Sequence, residues 1–342
     1  MPSGDQSFHS KTFVHMVCPE GIEPPTHSLE GCCSIQLSYG QRSREKKWSG
    51  RKDSNLRPSG PKPDALPGCA TPRRAGIVAA DTIDYILGML PAPPPLAWLA
   101  PGEDFPPVTQ SWGADSPAPG LLAAGGALDT ETLCRAYGQG VFPWFSEGQP
   151  ILWWSPDPRM VLQVEAFRLQ RSFRKSLRKF AGTDGCEIRM DSAFEQVISA
   201  CATSPRAGQS GTWIVPDMIA AYRALHRAGY AHSVETWVHG HLVGGLYCVS
   251  IGKAVFGESM FSRASEASKI ALAALVCFCR HHGIKQIDCQ QNTPHLASLG
   301  AREVSRAAFI EQVTAGLTCS PPHWNFETLY WDELFHPDSP AP

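Results

Sequence analysis

The chain has 342 residues, 43% of them hydrophobic, with 30 Lys and Arg set against 32 Asp and Glu. That excludes a chain disordered throughout, and the near-neutral balance excludes a protein that holds nucleic acid by bulk charge alone. The longest apolar runs, 270–278 and the proline-broken 86–99, fall far short of the roughly 20 residues that span a bilayer, so no membrane segment is expected. Twelve cysteines accompany no recognisable secretory leader, which points to a reduced, cytoplasmic setting.

Residues 1–88 keep neither a helical nor an alternating period and scatter Pro, Gly, Ser and Arg, so no domain is expected there. The phrases at 20–33 and 50–59 resemble translated structural-RNA genes, and the expected native start is Met89 or nearby; a basic disordered tail is the plainer account. After the glycine-rich 120–126, Asp129 is a good N-cap for a short helix over about 130–137. The aromatic segments 141–145 and 151–159 either fill a small core or stack on a ligand, and core is the favoured reading.

Over 168–180, Leu169, Phe173, Leu177 and Phe180 fall on one side of a predicted helix, and Arg171, Arg174, Lys175, Arg178 and Lys179 on the other. A solvated face normally mixes signs; this one does not, and suits a phosphate backbone. Asp191 is expected to cap a helix carrying Phe194, Val197, Ile198 and Cys201. Pro216 and Gly229 bracket another, with Ile219, Tyr222 and Leu225 inward. Three strands then read as a meander, 232–239, 241–251 and 254–261, followed by a helix over about 266–282. The next strand, 285–290, would put Asp288 and Gln290 on one face and Cys289 on the other before Thr293-Pro294 turns the chain. Helix, meander, helix, strand, helix is an α+β layout with a mixed sheet.

The phrases Gly120-Leu-Leu-Ala-Ala-Gly-Gly, Gly140-Val-Phe-Pro-Trp-Phe, Leu152-Trp-Trp-Ser-Pro-Asp-Pro-Arg, Gly211-Thr-Trp-Ile, His232-Ser-Val-Glu, Phe256-Gly-Glu-Ser-Met-Phe-Ser and Ile287-Asp-Cys-Gln occur in that order. Together they resemble the leucyl/phenylalanyl-tRNA–protein transferase family, from about Gly120 to Val313. The resemblance implies a bacterial cytoplasmic enzyme, expected to be monomeric. It would move Leu or Phe, with Met as a further donor, from leucyl-tRNA or phenylalanyl-tRNA onto proteins with N-terminal Arg or Lys, marking them for degradation. It also implies a small N-terminal α/β domain (89–165), a catalytic domain similar to the acyl-CoA N-acyltransferase (GNAT) fold (166–320) and a C-terminal tail (321–342). Matched positions put Tyr137, Trp144, Trp213 and Tyr222 around the tRNA 3′ adenosine and the donor pocket, with Leu246, Met260 and Leu275 lining that pocket. Core packing explains the last three equally well. The family departs from this chain at Ala127, Leu246 and Leu275, and the last two bear on the balance between Leu and Phe donors.

An aminoacyl-tRNA ester is already activated, so making an amide from it needs no ATP, metal or other cofactor. The protein must align two substrates, accept an amine proton and stabilise an oxyanion. In this reading the Gln290 carbonyl holds the attacking amine and Asp288 polarises or relays its proton. Glu258 is a candidate contact to the donor's amino group or to the acceptor's basic side chain, with a structural ion pair as the alternative. A zinc site at Cys277, Cys279, His281, His282 and Cys289 is disfavoured, since helical residues two apart diverge by about 200°. An acyl-CoA N-acetyltransferase would need a glycine-rich turn where Phe261-Ser-Arg-Ala-Ser-Glu-Ala-Ser-Lys stands. A non-catalytic tRNA-binding module would bind tRNA and never transfer a labelled amino acid.

Overall fold

Two sheets organise residues 95–204 and 214–336, which are those the computed structural model describes. The expectations for residues 1–88, for the loop 208–211, for Trp213 and for the end of the tail lie outside the described residues. The first sheet is built from β1 (Ala97–Leu99), β2 (Leu121–Gly125), β3 (Phe142–Pro143) and β4 (Leu152–Trp154), in the order β1-β2-β4-β3. Between β2 and β3 runs α1 (Thr130–Gly138), and Asp129 caps it as expected, accepting from the Thr132 amide at 2.8 Å and hydroxyl at 2.9 Å. Phe142, Phe145, Trp153 and Trp154 are buried, so these aromatics are core.

From β5 (Arg159–Gln163) the chain builds a second sheet. It continues through α2 (Arg171–Ala181), β6 (Cys186–Met190), α3 (Phe194–Thr203), α4 (Pro216–Arg227), β7 (Ala231–Val238), β8 (His241–Ile251), β9 (Ala254–Ser262) and α5 (Ala267–His281). Then follow β10 (Gln286–Asp288), α6 (Pro294–Ser298), β11 (Arg302–Val304), α7 (Arg306–Leu317) and α8 (Asp332–Phe335). The strand order is β11-β5-β10-β9-β8-β7-β6. Only the β9–β10 pair is parallel within this sheet, which makes it mixed and the fold α+β. Each face carries its own core. One holds Tyr137, Phe194, Val197, Met218, Tyr222, Tyr247, Phe256 and Phe309; the other holds Leu246, Met260, Leu275, Phe278, Ile287 and Cys289 under α5.

The meander falls where its turn signals put it, with His239 (φ 48°) and Gly240 (φ 76°) both left-handed in the β7–β8 hairpin. Three local expectations need correction. α2 begins at Arg171, so Leu169 precedes the helix, although Phe173, Leu177 and Phe180 are buried as expected. Asp191 does not cap α3: in a left-handed conformation (φ 56°) it accepts from the Ser233 amide at 2.8 Å and contacts His232 Nδ1 at 2.7 Å. The Ala193 amide at the start of α3 goes instead to the Glu235 carboxylate of β7, at 2.7 Å. The strand expected over 285–290 is only Gln286–Asp288, because the Asp288 side chain takes the Gln290 amide at 2.8 Å and turns the chain, leaving Gln290 left-handed (φ 60°).

Candidate active site

The site forms where β9 and β10 part. Their parallel register ends at Asp288 opposite Phe256. Just beyond, β9 pairs with β8 through Gly257–Cys248 and then Ser259–Tyr247, which leaves Glu258 as the extra residue of a bulge. A bulge re-aims one side chain, and here it turns Glu258 toward α1 and α4. Gly257 permits the close approach of the strands, since a Cβ there would stand 3.2 Å from the Asp288 carbonyl oxygen.

Asp288 is 1% exposed and faces Arg159, which is 0% exposed. Arg159 Nε donates to Oδ1 at 2.8 Å and Nη2 to Oδ2 at 2.6 Å, a bidentate ion pair. Its Nη1 donates to the Gly140 carbonyl at 3.2 Å, and the guanidinium lies 4.7 Å from the Phe142 ring centre and 4.6 Å from that of Phe309. With the Gln290 amide added, both Asp288 oxygens are engaged by donors from the protein.

Glu258, also 1% exposed, accepts from the Tyr137 hydroxyl at 2.7 Å, the Tyr222 hydroxyl at 3.1 Å and Gln290 Nε2 at 3.2 Å. The two hydroxyls also bond to each other. Burial pushes the Glu258 carboxyl up to about 7; the two phenols and Gln290 oppose the rise, and the Asp288 charge adds to it. Burial, and then the Glu258 charge, push both phenols well above their ordinary range. The structural ion pair considered for Glu258 is not what holds it: its partners are two phenols and an amide. Because Gln290 spends its amide nitrogen on Glu258, its carbonyl oxygen is left for an incoming donor.

The structure thus brings together Tyr137, Tyr222, Glu258, Asp288 and Gln290. Cys289 packs in the opposite core, where burial raises its thiol. Leu246, Met260 and Leu275 meet one another in that same core, an arrangement that a pocket lining and ordinary packing both require. Trp144 is half-buried, edge-on to Trp154 with ring centres 5.4 Å apart. Arg171, Arg174, Lys175, Arg178 and Lys179 are all exposed along α2, and Arg178 lies over the Phe335 ring at 5.4 Å. Among the described residues no group of three or more His, Cys, Asp or Glu could hold a metal ion. Arg159 escaped the sequence reading as a site residue. The available signal was a lone charge leading the otherwise apolar strand Arg159-Met-Val-Leu, where it must be buried with a partner.

Comparison with known proteins supplies the family. Residues 161–314 match the family described as leucyl/phenylalanyl-tRNA protein transferase, and residues 126–157 match its N-terminal domain. Three relatives, each named leucyl/phenylalanyl-tRNA–protein transferase, align over nearly their whole length. One from Albidiferax ferrireducens is 70% identical over 247 residues, covering 72% of this chain and 97% of its own. One from Polaromonas is 63% identical over 255 residues, covering 75% and 99%. One from Paraburkholderia xenovorans is 55% identical over 240 residues, covering 70% and 98%. The chain belongs to the leucyl/phenylalanyl-tRNA–protein transferase family of aminoacyltransferases.

Proposed function

We propose that the chain transfers Leu or Phe, with Met as a further donor, from its tRNA to the N-terminal Arg or Lys of proteins, creating a degradation signal. The observation that carries the chemistry is the fixed Gln290 amide, whose nitrogen is bonded to Glu258 and whose backbone is turned by Asp288. The Gln290 carbonyl accepts a hydrogen from the acceptor's α-amine and aims its lone pair at the donor ester. The new C–N bond forms, the ester C–O bond to the ribose breaks, and the amine proton ends on the departing 3′ oxygen. Asp288 contributes by holding the turn that presents Gln290, with its charge matched by Arg159. Trp144, Trp213, Tyr137 and Tyr222 serve the tRNA 3′ adenosine and donor side, Leu246, Met260 and Leu275 receive the donor side chain, and the basic face of α2 meets the tRNA backbone.

The same reading assigns residues 89–165 to a small N-terminal domain and 166–320 to a GNAT-like catalytic domain acting as a cytoplasmic monomer. The parting of a parallel strand pair at the site supports that assignment. The test supplies labelled leucyl-tRNA with a peptide beginning in Arg or, as control, in Ala. Transfer to the Arg peptide alone is expected; equal transfer to both, or binding of tRNA without transfer, overturns the reading.

A further inference from the structure

We propose that Glu258 acts as the positioning residue for Gln290, and that it does so as a neutral carboxylic acid closed into a hydrogen-bonded ring with Tyr137 and Tyr222. This rests on the reading that Gln290 receives the acceptor amine. The ring has three links: Tyr137 to Glu258 Oε1, Tyr222 to Glu258 Oε2, and hydroxyl to hydroxyl. Each link needs one proton, and the two phenols supply only two. An ionised Glu258 leaves one pair of oxygens facing each other with no proton between them. A neutral Glu258 completes the set, with Oε2–H donating to Tyr222, Tyr222 to Tyr137, and Tyr137 to Oε1. Oε1 is then a carbonyl with a second lone pair, and Gln290 Nε2 takes it. That link fixes which way the Gln290 amide faces, because its carbonyl would repel Oε1.

The surroundings agree. The groups facing Glu258 are Tyr137 from α1, Tyr222 from α4, Cys248 from β8, and Asp288 and Gln290 at the end of β10, with Arg159 matched by Asp288. None supplies an unpaired cation to Glu258, and burial favours its uncharged form, in keeping with a carboxyl raised to about 7. Nor can so enclosed a group reach a substrate cation directly: with both oxygens engaged it acts through Gln290.

Single-turnover transfer from leucyl-tRNA separates the possibilities. Glu258→Ala removes the ring and is expected to lower the rate on the order of 100-fold, with tRNA affinity and the acceptor's KM kept. Glu258→Gln places a carbonyl and an N–H donor where the neutral acid has its carbonyl and O–H, and is expected to recover at least about tenfold of that loss. If Glu258→Gln is as slow as Glu258→Ala while melting like the native protein, a negative charge is required and the proposal fails. Should Glu258→Ala not fold, Tyr137→Phe with Tyr222→Phe, which removes both phenolic protons, takes its place: a native rate overturns the proposal. Gln290→Ala runs alongside, and its transferring at the native rate defeats the underlying reading instead.

Discussion

Replacing Arg159 by Met keeps much of the side chain's volume and removes a guanidinium that makes two hydrogen bonds to Asp288, one to Gly140 and two ring contacts. Asp288 would then carry a buried charge with only the Gln290 amide still bonded to it. Breaking one side of a buried pair costs about 3–5 kcal/mol. At about 2–4 °C per kcal/mol for a unit of this size, the melting temperature should fall roughly 10 °C. Asp288→Asn should cost a similar amount by leaving Arg159 unpaired. The double variant should cost clearly less than the two single losses together, with a coupling of about 1–3 kcal/mol. Urea melts of the four proteins at pH 7 measure this cycle. A loss below about 1 kcal/mol for Arg159→Met, or strict additivity, would refute the claim that the pair holds β5, β10 and the 140–142 segment together.

Changing Arg171, Lys175 and Arg178 of α2 to Gln should weaken tRNA binding and flatten its dependence on log salt by about 2–3, at roughly 0.7–0.9 per phosphate released. An unchanged slope would make this face merely solvated. Cys289→Ala should lower stability by about 1 kcal/mol through lost packing and leave transfer near native; abolished transfer would point to thiol chemistry. The native protein should also lose stability relative to Glu258→Gln as pH rises. A carboxyl moved from its ordinary 4.5 to about 7 stabilises the fold below 4.5 and loses that contribution as pH rises through 7. The gap should widen by about 3 kcal/mol between pH 4.5 and 8, and pH-independent parallel melts would contradict the raised carboxyl.

Much of the catalytic half was legible because its local signals agree with its tertiary packing. Pro216 and Gly229 bracket α4, left-handed His239-Gly240 turns the hairpin, and the apolar 270–278 run lies within α5. Sequence alternation also put Cys289 on the face away from Asp288. What failed depends on contacts between distant residues. Asp191 looks like an N-cap, and only the fold brings Ser233 and His232 to it and Glu235 to the Ala193 amide. The Glu258 bulge is a mismatch between two strands and leaves no period in either. Arg159 pairs with a residue 129 positions away, so its role emerges only when β5 and β10 lie side by side.

The central claim is that Gln290, held by Glu258 and Asp288, presents its carbonyl to the acceptor amine. Single-turnover transfer by Gln290→Ala, with leucyl-tRNA affinity measured on the same preparation, tests it most directly. The expected result is a rate lower by on the order of 100-fold with tRNA affinity within about twofold of native. Transfer at the native rate, or a loss traced wholly to tRNA binding, would contradict it.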